Sequence, residues 1–258
     1  MKGKKLGASV AEIARFLDEE LRVRDFRDYS NNGLQVENSG RAGVVSCGVD
    51  ASLQFFEAAR RRGARLLICH HGLSWGDSLK RITELNYRRL SFLIRNDMAL
   101  YACHLPLDAH PRHGNNAGIA RALGLRRLKG FGRLDGRDIG FEGVLPRPLP
   151  LDRFKDLVRK AVSPKLSCMD FGPRRIRRVA VVSGSAADET MEAGRRGVDA
   201  YITGEPKLLA HDLAREYGVN VLFAGHYATE VFGVRALGEL LQRRFGVQAE
   251  FIDLKVPY

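Results

Sequence analysis

The amino-acid sequence predicts an α/β protein with an internal duplication, in which helices cover mainly parallel sheets. Apolar segments with strand character alternate with helical patterns along the 258 residues, and this alternation is typical of a parallel sheet with helices on its faces. The second observation is a repeat: residues 221–230, VLFAGHYATE, match residues 99–108, ALYACHLPLD, without a gap. In each copy an apolar strand leads into a histidine, and a carboxylate follows four residues later.

The first half of the chain has four predicted helices, and the first of them has apolar residues at a spacing that repeats about every 3.6 positions. Ser9 is expected to cap the first helix, and Gly63 is expected to end the second. The predicted helices of this half span 8–22, 52–63, 82–97 and 115–125, and the predicted strands span 43–50, 64–72 and 99–104.

The second half repeats the order of elements. Residues 56–71 and 191–205 both contain a helix, an Arg-Arg-Gly stop and a strand, and setting Gly63 on Gly197 places His71 on Glu205. Predicted strands in this half span 138–145, 174–185, 198–205, 220–226 and 250–254, and predicted helices span 151–162, 187–197, 206–218 and 229–246.

Composition excludes a membrane-spanning class. Hydrophobic residues make up 45% of the chain, but no apolar run is long enough to cross a bilayer. The N-terminus has no apolar core of a signal peptide, so a cytoplasmic protein is expected. The cysteines have no Cys-x-x-Cys spacing and are expected to be buried free thiols, with a ligand role for Cys69 and Cys103 as the alternative.

The formal net charge of +12 favours anionic partners, either a nucleotide or nucleic acid. Much of this charge comes from short arginine runs such as Arg174–Arg175 and Arg177–Arg178. The alternative is a solvated, arginine-rich surface with no partner.

Histidines and carboxylates at predicted strand ends indicate a metal site, because active sites of parallel sheets lie at the carboxyl ends of the strands. Imidazole and carboxylate ligands suit Zn, Fe, Mn or Ni, and five such ligands suit two ions about 3.5–4 Å apart. His104 is a sixth candidate, as an outer ligand or a proton carrier. A local hydrogen-bonding role for the histidine pair is the alternative. The five predicted ligands are His70, His71, Asp108, His226 and Glu230.

Two further features lie near these residues. Ser183, Gly184 and Ser185 form a small-residue turn between a strand and a helix, which predicts either a phosphate contact or a tight packing turn. Trp75 is predicted to be a packing residue near the mouth of the site or a platform on which a base stacks.

The chain resembles the Nif-three-like dinuclear-metal hexameric proteins, also described as GTP cyclohydrolase 1 type 2 homologues. The matching segments follow the family's order and are DYSNNGLQVE (28–37), GVDAS (48–52), LLICHHG (66–72), ACHLPLD (102–108), GNNAGIARALG (114–124), SGSAADE (183–189), DAYITGE (199–205) and GHYATEVFGVRAL (225–237).

The resemblance implies two similar, intertwined α/β domains with a dimetal site between them, and a ring-shaped homohexamer. The first domain would comprise 1–128 plus 226–258, and the second, inserted domain would comprise 129–225. The family's metal ligands correspond to the five residues already chosen. The resemblance also suggests Asn32 and Gln35 as polar contacts of the substrate, and Glu205 is a further candidate contact.

The leading hypothesis is a dinuclear metal-dependent hydrolase with two divalent ions per chain, in which activated water attacks a purine nucleotide or a related phosphorylated substrate and His104 carries a proton. The second hypothesis is a basic ring that binds nucleic acid or protein, with structural or stored metals.

Overall fold

The computed structural model describes residues 7–257, which form alternating strands and helices. The strands are β1 (Ala8–Ser9), β2 (Gly33–Val36), β3 (Arg41–Ala42), β4 (Val44–Asp50), β5 (Leu66–His71), β6 (Ala99–Ala102), β7 (Arg126–Leu134), β8 (Arg137–Pro150), β9 (Ser167–Asp170), β10 (Arg175–Val181), β11 (Ala200–Thr203), β12 (Asn220–Phe223) and β13 (Gln248–Phe251). The helices are α1 (Val10–Glu20), α2 (Leu53–Arg61), α3 (Glu84–Arg95), α4 (Leu105–Ala109), α5 (Asn115–Ala122), α6 (Leu151–Ala161), α7 (Thr190–Arg195), α8 (Leu208–Tyr217), α9 (His226–Thr229) and α10 (Val231–Phe245), with 3-10 turns at Val23–Asp25 and Ala187–Glu189.

The chain divides into two compact units. Unit 1 runs to Leu107 and resumes at Gly233–Lys255, whereas unit 2 comprises Asp108–Phe232 and the last residues from Val256. Each unit has its own sheet and its own apolar core. Within residues 7–257, no helix has the length and apolar character that crossing a membrane requires.

Unit 1 contains a five-stranded sheet with the order β13-β4-β5-β6-β2. Strands β13, β4, β5 and β6 are mutually parallel, and β2 pairs antiparallel with β6 at the edge. Phe55 and Phe56 of α2 and Leu93 of α3 are fully buried in the core on this sheet. The short antiparallel pair β1-β3 lies apart from the main sheet.

Unit 2 contains a six-stranded sheet with the order β7-β8-β10-β11-β12-β9. Strands β10, β11 and β12 are parallel, and the others pair antiparallel with their neighbours. Ile119 of α5 and Phe154 of α6 are fully buried in its core. Because α5 packs in this core, unit 2 begins at Asp108, earlier than the predicted boundary after residue 128.

The sheets confirm the duplicated α/β architecture. In each unit three consecutive parallel strands are followed by an antiparallel edge strand beside the third: β4-β5-β6-β2 in unit 1 and β10-β11-β12-β9 in unit 2. The Arg-Arg-Gly stops are also alike, since Gly63 and Gly197 both have a positive φ, of 74° and 63°. Glycine is favoured there because it adopts this left-handed conformation without steric cost.

Local signals at the first helix were also predicted correctly. Ser9 caps α1, because its side chain accepts a hydrogen bond from the backbone N–H of Glu12. Strands β1, β2, β3, β7 and β9 had no predicted counterpart in the sequence patterns, and β1 lies within the predicted helix 8–22.

Candidate metal centre

In unit 1 three histidines meet at the carboxyl ends of two neighbouring parallel strands. His70 and His71 end β5, and His104 follows β6. The two strands are parallel neighbours, and Cys69 of β5 pairs with Ala102 of β6. One ring nitrogen from each histidine can be chosen such that all three atoms lie within 4.8 Å of one another. The three side chains therefore form what we call the unit 1 cluster, His70, His71 and His104.

Each histidine of the unit 1 cluster is oriented through its Nδ1 atom. His70 donates from Nδ1 to the backbone oxygen of Cys103 at 2.9 Å, and His71 bonds Asp50 Oδ1 at 2.8 Å. His104 Nδ1 lies 3.0 Å from Asp28 Oδ1. These partners place the proton on Nδ1 and a lone pair on Nε2, which is the arrangement found in histidines that bind a metal.

Asp28 is the most strongly held of these partners. Its side chain is only 2% exposed, and it accepts hydrogen bonds from Ser30 N, Asn32 Nδ2 and Leu105 N as well as from His104. Burial raises the pKa of Asp28, but the hydrogen bond and charge of His104, together with the bonds from Asn32 and Ser30, outweigh burial and lower this pKa to about 2. Asp28 is therefore an ionised carboxylate that fixes the orientation of His104.

Unit 2 contains a second set of candidate ligands. His226 begins α9 after β12, and its Nε2 lies 3.0 Å from Oε1 of Glu230, four residues on. Asp108 lies in α4, and its side chain is 5% exposed. We call Asp108, His226 and Glu230 the unit 2 cluster.

His226 is held from both sides. Its Nδ1 bonds Glu205 Oε1 at 2.9 Å. The hydrogen bond to Glu230 raises the pKa of His226 to about 9, with support from Glu205 and against the effect of burial. The same contact with His226 lowers the pKa of Glu205. Glu205, which aligns with His71 in the duplication, thus orients a candidate ligand in the way that Asp50 and Asp28 do in unit 1.

The turn Ser183–Ser185 contacts the unit 2 cluster closely. Ser183 Oγ donates to Asp108 Oδ1 at 2.9 Å, and Asn115 Nδ2 donates to the same oxygen at 2.8 Å. Gly184 has φ of 68°, and a Cβ at this position would come within 2.5 Å of Glu230 Oε1. The turn therefore needs glycine here, because any side chain would strike a buried carboxylate.

The other predicted contacts, Asn32 and Gln35, have structural partners. Asn32 Oδ1 accepts from the backbone of His104, and Gln35 Oε1 accepts from the backbone of Leu73 and Ser74. Their role as substrate contacts stays a prediction, and so does that of Ser183, Gly184, Ser185 and Glu205.

Several orienting residues were not selected from the sequence. Asp50 ends β4 and pairs in register with His71, so the strand order alone could have indicated it. Asp28 lies in the loop before β2, and Asn115 begins α5. Both lie in segments that match the family, DYSNNGLQVE (28–37) and GNNAGIARALG (114–124), but their orienting contacts depend on how the chain folds back.

The donor sets of both clusters fit a transition metal. The unit 1 cluster offers imidazoles with fixed tautomers, and the unit 2 cluster offers an imidazole with two buried carboxylates. Imidazole and carboxylate ligands suit Zn, Fe, Mn and Ni. The fold and these residues define a two-unit α/β protein with candidate metal-binding side chains at the ends of its parallel strands.

The chain belongs to the DUF34/NIF3 family (NGG1p interacting factor 3), whose model matches residues 8–257. The chain is 46% identical over 242 residues to a GTP cyclohydrolase 1 type 2 homolog of Deinococcus radiodurans, covering 94% of this chain and 92% of the relative. A protein with the same name from Archaeoglobus fulgidus is 42% identical over 246 residues, covering 95% and 98%. The family resemblance inferred from the sequence motifs is thereby confirmed.

Solved structures share the fold. The protein ybgI, described as of unknown function, has a TM-score of 0.91 and 36% identity, covering 97% of this chain and 100% of that one. A Thermus thermophilus protein has a TM-score of 0.88 and 36% identity over the same shares of both chains.

Proposed function

We propose that the chain is a metal-dependent hydrolase of the GTP cyclohydrolase 1 type 2 kind, with two divalent ions per chain and a purine nucleotide or related phosphorylated compound as substrate. His70, His71, Asp108, His226 and Glu230 would hold the ions. The observation that carries this proposal is the orientation of all three unit 1 histidines through Nδ1 by a carbonyl or a carboxylate. The shared name of the relatives supports the substrate class.

Ions of this kind, when bound, activate water for attack on an electrophilic carbon or phosphorus. The residues of the chain do the remaining work. His104 carries a proton at Nε2 as water adds and a bond of the purine imidazole ring opens, while Asp28 holds the ring through Nδ1. Glu205 holds His226 in the same manner, also through Nδ1.

The test is GTP turnover by the full chain after reconstitution with Zn, Mn or Fe, with products identified by mass spectrometry. We expect turnover that falls strongly in His104→Gln. The matched control is His211→Asn, which alters an exposed histidine beside Asp212 and should leave turnover unchanged. Metal binding without turnover of GTP or of other nucleotides would contradict the proposed reaction.

A second proposal concerns the basic surface. Arg126 and Arg127 of β7 and Arg175 and Arg177 of β10 are exposed on strands of one sheet, and such a surface suits a phosphate backbone. If the chain is a nucleic-acid-binding ring, binding should weaken steeply with salt and survive His104→Gln. The ring itself, proposed as a homohexamer, is tested by sedimentation of the purified chain.

A further inference from the structure

The aromatic ring of Trp75 lies beside the unit 1 cluster and is held in one orientation. Its ring centroid lies 5.1 Å from that of His104 and 5.8 Å from that of His71. The indole N–H donates to the backbone oxygen of Gly72 at 2.9 Å, which fixes the ring orientation. Unlike the core residue Phe55, which is fully buried, Trp75 remains partly exposed. Its surface is therefore available to a ligand next to the predicted proton carrier.

The segment that carries Trp75 is joined by hydrogen bonds to the loop before β2. Asn31 N donates to Ser74 O at 3.0 Å and Gly76 N donates to Tyr29 O at 2.7 Å. The Asn31 side chain donates to Ser74 Oγ and to Gly76 O. The Gln35 carboxamide bonds both segments, accepting from Ser74 N and donating to Asn31 O. Because these hydrogen bonds already order the segment that carries Trp75, we call its ring a stacking platform. Such a platform loses little conformational freedom when it binds a flat ligand.

Tyr29 adds a second aromatic ring to this platform. Its side chain is 72% exposed, and a Cβ on Gly76 would come within 2.7 Å of its Cε2 atom. The phenol ring therefore lies against Gly76, directly after Trp75 in the chain. Tyrosine and tryptophan supply large rigid contact areas at low entropic cost, and both stack readily on planar ligands.

We propose that Trp75 and Tyr29 form a stacking site for a planar nitrogen heterocycle, a nucleobase, which is thereby presented to His104. The identification of that base as a purine rests on the proposed function, whereas the stacking site itself rests on the two aromatic rings. No charged side chain takes part in this stacking, so a base should bind without its phosphates. Base–aromatic stacking tolerates every base because each has a π-face.

The experiment uses the fact that Trp75 is the chain's one tryptophan, so that intrinsic fluorescence reports on this site alone. The metal-reconstituted full chain is titrated with guanosine and, separately, with ribose 5-phosphate, and free tryptophan amide corrects for absorbance. We expect guanosine to change the emission of Trp75 and ribose 5-phosphate to leave it unchanged.

Calorimetry on variants then locates the contact. Trp75→Ala should weaken guanosine binding roughly 10- to 100-fold, since stacking on one aromatic residue is of that order. Trp75→Phe keeps a flat ring and should restore most of the affinity, and Tyr29→Ala should show a smaller loss. The control is Tyr217→Ala, which removes a tyrosine of unit 2 that is 41% exposed and should bind as the wild type does.

Three results would overturn the stacking site: no guanosine binding to the wild type, unaltered guanosine affinity in Trp75→Ala, or guanosine binding that leaves Trp75 emission unchanged. Guanosine binding that depends on Trp75 but occurs without GTP turnover would support the stacking site and reject the proposed reaction. The two failures are therefore distinguishable.

Discussion

Units 1 and 2 each contain three consecutive parallel strands, but different side chains follow the carboxyl ends of those strands. Register makes the comparison residue by residue: β4–β5 pairs Cys47 with Ile68, and β10–β11 pairs Val181 with Ile202. A sequence alignment that sets Gly63 on Gly197 also matches these two pairs, and it places Asp50 on Gly184. Unit 1 uses a carboxylate at this point to orient His71, whereas unit 2 uses a glycine.

The difference between Asp50 and Gly184 shows how a duplicated fold can supply two kinds of candidate ligand. In unit 1, imidazoles are the candidate ligands and carboxylates orient them. In unit 2, Glu230 is a candidate ligand that is 2% exposed, and the glycine turn makes room for it. His104 and His226 occupy equivalent positions in the repeat, and each bonds a carboxylate through Nδ1.

The largest expected effect comes from filling the space at Gly184. Gly184→Ala places a Cβ within 2.5 Å of Glu230 Oε1 at a φ of 68°, so it combines a clash with backbone strain. We expect a loss of about 3 kcal/mol in the free energy of unfolding and a lower metal content. Urea denaturation and elemental analysis measure the two effects.

Gly136→Ala is the matched control, because Gly136 also has a positive φ, of 81°, but nothing lies within 4 Å of its added Cβ. This substitution should cost only the strain, about 1 kcal/mol. Equal losses in the two variants would mean that the close approach at Gly184 is unimportant.

A smaller effect is expected from the carboxylates that orient the unit 1 histidines. Asp28→Asn keeps the size of the side chain but removes the charge that holds His104, and Asp50→Asn does the same beside His71. Losses of such outer partners typically cost about 10- to 100-fold in activity or metal affinity. We expect Asp28→Asn to lower turnover with metal retained, and Asp50→Asn to lower metal affinity. Asp212→Asn, at an exposed aspartate beside His211, should do neither.

The smallest effect concerns a second pair of equivalent positions. The same alignment places the buried Phe55 of unit 1 on Glu189 of unit 2. Burial, with the hydrogen bond and charge of Glu192, raises the pKa of Glu189 from 4.5 to about 7. The folded state therefore binds more protons than the unfolded state between these values, and stability falls as pH rises through this window.

Glu189→Gln should consequently stabilise the chain above pH 7 by about 1 kcal/mol, after allowance for solvent screening of a partly exposed group. The gain should vanish below pH 4.5, where glutamate is protonated in both states. Thermal melts of wild type and variant at pH 8 and pH 4 measure it, with the exposed Glu216→Gln as control. A gain that is the same at both pH values would refute the role of ionisation.

The central strands were predictable because burial on both faces leaves continuous apolar runs, such as Leu66–Cys69 and Val221–Ala224. Their ends were predictable because a histidine there interrupts an apolar pattern. The edge strands β7 and β9 were not: β7, RRLKGFGRL, is basic and contains two glycines, and β9, SCMD, is too short for an alternating pattern. The edge strand β13 was predicted, at 250–254. The partners Asp28 and His104 are 76 residues apart in sequence, so their contact depends on tertiary folding.

The predicted metal site is tested most directly by elemental analysis of the purified chain reconstituted with Zn, Mn or Fe. The samples are the wild type, His70→Ala, Glu230→Ala and the control His211→Asn. We expect about two ions per chain in the wild type and the control. We expect fewer in His70→Ala, which removes a ligand from unit 1, and in Glu230→Ala, which removes one from unit 2. A wild type that binds no metal under any of these conditions, or ligand variants that bind as much as the wild type, would contradict this prediction.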